Sequence, residues 1–126
     1  MSKIKGKDTK SEVSVRKYLF SKGFRYRKNV RKLLGKPDIV LTKYKTIIFI
    51  HGCFWHFHQD CKEGHLPSSN IEYWKEKLDK NVERDQKNIF LLASMGWKVI
   101  VIWECELKTI PLRNSRLERL IEEIKQ

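Results

Sequence analysis

Two apolar runs restrict what this chain can fold into. Residues 46–50, "TIIFI", and residues 97–103, "WKVIVIW", are almost unbroken in large apolar side chains. A half-exposed strand alternates apolar and polar positions, so a continuous run belongs to a strand covered on both faces. Between the two runs Ile71, Trp74, Leu78, Val82, Ile89 and Leu92 recur at helical spacing, up to a stop at Gly96. Strand, long helix and strand make a βαβ unit, so the two strands are expected to lie parallel and close in space. One residue breaks the helical stripe: Asp85 puts a carboxylate where an apolar side chain is due.

The rest of the chain arranges itself around that unit. "TKSE", Thr9 to Glu12, has the form of a capping box and opens a helix to about Lys22, with Val15, Tyr18 and Leu19 on its apolar side and Gly23 as its stop. Phe24 and Tyr26 alternate with Arg25 and Arg27, the pattern of a half-exposed strand. "DIVLT" reads as a buried strand joined to "TIIFI" by a short hairpin at Lys43-Tyr44-Lys45. Leu117, Leu120, Ile121 and Ile124 mark a final helix. The order α-β-β-β-α-β-α predicts an α/β protein with a mixed central sheet flanked by helices. At 126 residues the chain is expected to be a single domain over 1–126, with 1–8 a flexible basic arm. No run reaches membrane-spanning length and no apolar leader follows Met1, so a soluble, intracellular protein is expected.

Charge narrows the partner. The net charge is +12, and residues 1–36 carry thirteen Lys and Arg against only Asp8 and Glu12. A merely solubilising surface mixes both signs. This concentration is the footprint of a polyanion binder, and without a long amphipathic basic helix the polyanion is a nucleic acid rather than a membrane.

The segment "HGCFWHFHQDC", residues 51–61, holds three of the four histidines and two of the three cysteines. An odd cysteine count in an intracellular protein points away from disulfides and towards a metal. Parallel strands end at the same sheet edge, so Cys53, just past the first apolar run, and Cys105, just past the second, should meet there. His58 and Cys61 complete four soft ligands, a set that suits a closed, structural tetrahedral zinc site. The competing reading makes Cys53 and Cys105 small core residues and His58 a loop residue.

His51 and His56 then remain free, beside the hairpin partner that begins at Pro37-Asp38. A Pro-Asp at the head of a strand, with the tip of the next strand twelve residues on, suggests a metal-dependent nuclease in which the Asp binds Mg²⁺. Such enzymes commonly place Glu-x-Lys on the second strand. Here that place is Ile50-His51-Gly52, and the two imidazoles are the groups able to move protons near neutral pH. Glu12 has two readings of equal weight, closing the capping box or reaching the metal's water shell. Asp85 either orients His51 or His56 or forms a partly exposed salt bridge.

In this order and spacing "KPDIVL", "HGCFWHFH", "KNVERD" and "VIWEC" resemble the very short patch repair (Vsr) mismatch endonucleases, over about residues 1–108. The resemblance implies a bacterial cytoplasmic, nucleoid-associated enzyme of the PD-(D/E)xK restriction-endonuclease-like fold. Its activity would be a Mg-dependent nick on the 5′ side of the thymine in a T·G mispair left by 5-methylcytosine deamination. By position, Asp38 matches the Mg²⁺-binding aspartate, His56 the histidine assigned to activate water, His51 a second active-site histidine and Glu12 the helix glutamate near the metal. Cys53, His58, Cys61 and Cys105 match the zinc ligands, with one additional residue between His58 and Cys61. Phe54, Trp55 and Trp74 match aromatics that wedge into the duplex; without the family, Phe54 and Trp55 would read as core. Lys77 and Asn81 match positions near the mispair, and Met1 and Ile4 match residues of an N-terminal arm that enters the groove. Ile50 stands where the family can carry Thr; a ligand offered by the backbone carbonyl is indifferent to that change.

Double-stranded DNA with a T·G mispair is therefore the expected partner, bound by a monomer, with repair proteins as further candidates. Two rivals stand beside this reading: a restriction-type endonuclease of the same fold, and a non-catalytic zinc-braced DNA-binding module.

Overall fold

The computed structural model describes residues 10–28, 33–56, 58 and 65–126. Helix α1 (Lys10–Ser21) is followed by strands β1 (Arg27–Lys28), β2 (Ile39–Leu41) and β3 (Thr46–His51), helix α2 (Ile71–Ser94), strand β4 (Lys98–Trp103) and helix α3 (Ile110–Lys125). Short 3-10 turns occupy Thr42–Tyr44 and Glu104–Leu107. The sheet order is β1-β2-β3-β4, antiparallel at the first two pairings and parallel between β3 and β4. This is a mixed sheet with the βαβ unit that the two apolar runs predict.

The continuous runs have their explanation in the two faces of the sheet. Ile48, Ile100 and Ile102 point to one side, where Val15 and Leu19 of α1 and Leu117, Leu120 and Ile124 of α3 join them in one apolar cluster. Ile47 and Phe49 point to the other side and pack with Val40 and with Leu92 of α2, with Val99 and Val101 at the margin. Helices α1 and α3 cover one face and α2 the other. Leu120 is fully buried, and cutting such a leucine back to alanine costs about 2–5 kcal/mol.

Three local expectations are corrected. The alternation at 24–27 does not make a strand of that length: β1 is only Arg27–Lys28, and both are exposed. Phe24 spends its N–H on the Leu19 carbonyl (3.0 Å), closing the end of α1 after Gly23 at φ +88°, and its ring is buried against Tyr44 (5.3 Å). The hairpin connection runs from Thr42 to Lys45, where a 3-10 turn ends on left-handed Lys45 (φ 53°). Ile71, placed in the apolar stripe of α2, is 49% exposed. It is the first residue of α2, at the end remote from Leu92 and the core that α2 covers, and it follows left-handed Asn70 (φ 54°). Among the described residues no helix is long and apolar enough to cross a membrane.

Candidate active site and metal centre

Strands β2 and β3 place Asp38 and Ile50 at the open end of their hairpin. The Ile50 N–H donates to Asp38 Oδ2 at 2.7 Å. The loop before Asp38 is locked from below. Gly35 has φ +74°, and a Cβ there would come within 3.1 Å of the Phe49 ring and 3.3 Å of the Asn88 amide, so only glycine lets this turn lie on β3 and α2. Lys36 follows in a left-handed conformation (φ 50°) that lysine adopts at a cost, and Pro37 is buried. The "GKPD" stretch thus delivers one carboxylate to a fixed place.

Glu12, on α1, reaches the same place. It is buried, with Arg16 one turn later at 3.7 Å and also buried. Burial drives the Asp38 carboxyl up to about 7; the Ile50 N–H opposes the rise, Glu12 adds to it by charge and by hydrogen bonding, and Arg16 opposes it. Of the two readings of Glu12, contact with Asp38 is present, while the capping box rests on Thr9, which lies outside the described residues. Sequence reasoning missed Arg16; its buried position on the Glu12 face of α1 could have been read from the i, i+4 spacing.

The imidazoles begin one residue after Ile50, whose N–H holds Asp38. His51, the last residue of β3, is buried, and its ring stacks on that of His56 with centroids 3.8 Å apart and planes 4° from parallel. Burial pushes His51 down to about 4, with the charges of His56 and Arg84 acting the same way and that of Asp85 against them. His51 is therefore a neutral ring at physiological pH. The His56 Nδ1 bonds Asp85 Oδ2, reaching from the loop to α2. Asp85, the carboxylate that interrupts the apolar stripe, faces the histidines, and ligand atoms of His51, His56 and Asp85 all lie within 4.8 Å of one another.

A second group forms just beyond the strand ends. Cys53 Sγ, a His58 ring nitrogen and Cys105 Sγ lie within 4.8 Å of one another, with Cys105 Sγ 3.5 Å from His58 Nδ1. Ligands held at about 2.0–2.3 Å around a tetrahedral zinc sit about 3.3–3.8 Å apart, so this spacing fits the ion. Cys53 is buried and Cys105 half-buried. The fourth expected ligand, Cys61, lies outside the described residues, as do Met1 and Ile4 of the arm.

The aromatics gather on the far side of the loop. Phe54, Trp55 and Trp74 meet edge to face, at 5.1, 5.5 and 5.9 Å, and Tyr73 extends the group by its contact with Trp74 at 5.2 Å. None belongs to either core cluster. Asn81 donates to the Trp55 carbonyl at 2.9 Å, tying the loop to α2, while Lys77 is exposed one turn away. Tyr73, 60% exposed, was not singled out from sequence; its place next to Trp74 at the start of α2 was the available signal.

A family profile described as DNA mismatch endonuclease Vsr matches residues 1–63. A type II nicking enzyme of Neisseria meningitidis serogroup A is 59% identical over 99% of this chain and 89% of its own length. The chain belongs to the Vsr family of DNA mismatch endonucleases. The protein named DNA mismatch endonuclease Vsr in Escherichia coli is 41% identical over 86% of this chain and 69% of its own length. A type II nicking enzyme of Xanthomonas oryzae pv. oryzae is 40% identical over 97% and 89%.

Proposed function

We propose that this Vsr-family DNA endonuclease nicks one strand on the 5′ side of the thymine in a T·G mispair and so initiates very short patch repair. The observation that carries the proposal is that Asp38, with Glu12 beside it, is held by the Ile50 N–H, one residue before His51 and its stacked partner His56. The name of the Escherichia coli relative supports mismatched DNA as substrate, and the basic first quarter of the chain supports a polyanion.

Two carboxylates, Glu12 buried and Asp38 half-buried, repel, and a divalent cation relieves that repulsion, so the donor set fits Mg²⁺ held by Asp38 and the Ile50 carbonyl, with Glu12 on its water shell. Bound there, Mg²⁺ would polarise the scissile phosphate and lower the pKa of water. The protein's own groups do the rest. Asp85 holds the His56 Nδ1–H, which leaves Nε2 to take a proton from the attacking water. Water adds at phosphorus, the bond to the 3′ oxygen breaks, and a proton returns to that oxygen, leaving a 5′-phosphate and a 3′-hydroxyl. His51, neutral and stacked on His56, fixes the plane of that ring. Zinc on Cys53, His58, Cys61 and Cys105 would brace the loop that carries both His56 and the aromatic wedge.

The test is a nicking assay on T·G and matched duplexes, with Mg²⁺ or EDTA. The proposal expects cleavage of the thymine strand alone, only with Mg²⁺ and only at the mispair. Equal cutting of matched DNA would make the chain a restriction-type nuclease, and tight binding with no cutting would make it a binding module.

A further inference from the structure

Trp103 belongs to neither apolar core cluster, although it ends the strand that buries Ile100 and Ile102. Its contacts are imidazoles. In the parallel register of β3 and β4 it is the direct partner of His51. One face of the indole lies on the His58 ring, with centroids 3.9 Å apart and planes 4° from parallel. Its edge meets His51 at 5.2 Å and 75°, and His56 at 6.4 Å and 72°. The rings therefore form a continuous series, His58 to Trp103 to His51 to His56, from the thiol cluster to the catalytic pair.

The base of the indole is fixed as well. The backbone N–H of Trp103, the last residue of β4, donates to Glu106 Oε1 at 2.8 Å, and Glu106 is held by Arg116 (3.4 Å) and Arg119 (3.2 Å) of α3. Arg116 is itself buried. A side chain with so firm a mount, stacked on one histidine and in edge contact with two more, sets where those rings can be.

We propose that Trp103 is a positioning residue that carries the rigidity of the Cys53–His58–Cys105 cluster to His51 and His56. The proposal rests on the reading of His51 and His56 as the catalytic pair. It assigns Trp103 no contact with DNA and no proton transfer. It acts through the orientation of two imidazoles, where a misplacement of about 1 Å can cost about 10²-fold in rate.

The test compares Trp103→Phe and Trp103→Leu in the full chain by three readouts: zinc per chain, single-turnover rate against DNA affinity, and long-range ¹H–¹⁵N signals of the histidine rings without DNA. The expected result for Trp103→Leu is zinc content and DNA affinity within about twofold of wild type, a nicking rate lowered about 10–100-fold, and displaced His51 and His56 signals. Trp103→Phe, which restores an aromatic face, should recover part of the rate and part of the signal positions. Histidine signals unmoved in both variants would overturn the proposal, as would loss of zinc and affinity in parallel with rate. If Trp103→Leu does not fold, the Phe variant decides on the same readouts. A wild-type chain that fails to nick T·G duplexes would sink the proposed function, whereas the ring signals would still decide whether Trp103 positions the histidines.

Discussion

The Ile50 N–H donates to Asp38 Oδ2 at 2.7 Å across the open end of the β2–β3 hairpin. One such bond does not offset burial beside Glu12, so the carboxyl sits up at about 7. Folded Asp38 thus holds a proton that the unfolded chain has already released. Its contribution to stability is present at low pH and is lost as pH rises from about 4 through about 7. A Mg²⁺ ion held by Asp38 would have to displace that proton below neutrality. Mg²⁺ should therefore raise the melting temperature more at about pH 8 than at about pH 6, and Asp38→Asn should abolish the difference. Equal Mg²⁺ shifts at both pH values would remove Asp38 from the metal site.

Asp85 and His56 are bonded between α2 and the loop, which predicts a graded loss of chemistry. His56→Ala should cut nicking by about 10²–10⁴-fold, the range for general acid–base groups. Asp85→Asn keeps the shape but no longer favours the Nδ1–H tautomer, so its rate should fall less. Both should bind mismatched DNA as wild type does, as parallel binding and cleavage titrations would show. A weakened affinity in Asp85→Asn would mean the bond holds the loop for DNA rather than the proton for chemistry.

How much of this was legible beforehand depended on whether a residue's role follows from chain direction. The two apolar runs imply parallel strands, and parallel strands bring Cys53 and Cys105 to one edge, so that meeting was readable. Asp85 was readable as a defect in a periodic stripe. Phe24 was misjudged because its N–H is claimed by the end of α1, a competition that alternation of side chains does not record. Trp103 was read only as strand, since periodicity places a ring on a face but does not say that its neighbours are histidines. Arg16 and Glu12 pair by helical spacing, but that both are buried beside Asp38 depends on how α1 lies on the sheet.

His51 offers a pH test opposite in sign to that of Asp38. Its folded value is lowered to about 4 from 6.5, so it stays neutral in the fold while the unfolded chain takes up a proton. Stability from this source is complete above about pH 6.5 and is lost as pH falls towards about 4. His51→Gln should flatten the acid limb of a plot of melting temperature against pH. An unchanged acid limb would show that His51 is not held neutral.

The thiol cluster predicts one zinc per chain. Replacing Cys105 with Ser removes a ligand that lies 3.5 Å from His58 Nδ1, and the loop carrying His56 should loosen with it. Elemental analysis should give about one zinc in wild type and less in Cys105→Ser, with a lower melting temperature. Correctly folded wild-type protein without zinc, or with a disulfide, would defeat the assignment.

The aromatic group and the basic segment should separate recognition from general affinity. Phe54, Trp55 and Trp74 lean on one another outside both core clusters, so each can be cut back without opening the core. Unstacking a base step costs a few kcal/mol, and less at a mispair, so rings that enter the duplex favour T·G over matched DNA. Arg25 and Arg27 are exposed and can meet phosphates of any duplex. Each phosphate contact contributes about 0.9 to the slope of log affinity against log salt. Trp74→Ala should therefore lower the preference for T·G while leaving the salt slope unchanged. Replacing Arg25 and Arg27 together should weaken both duplexes alike and flatten the slope by up to about 2. A Trp74→Ala protein that keeps its full mismatch preference would leave the wedge to Phe54 and Trp55, and Trp74 would then act only by packing against them.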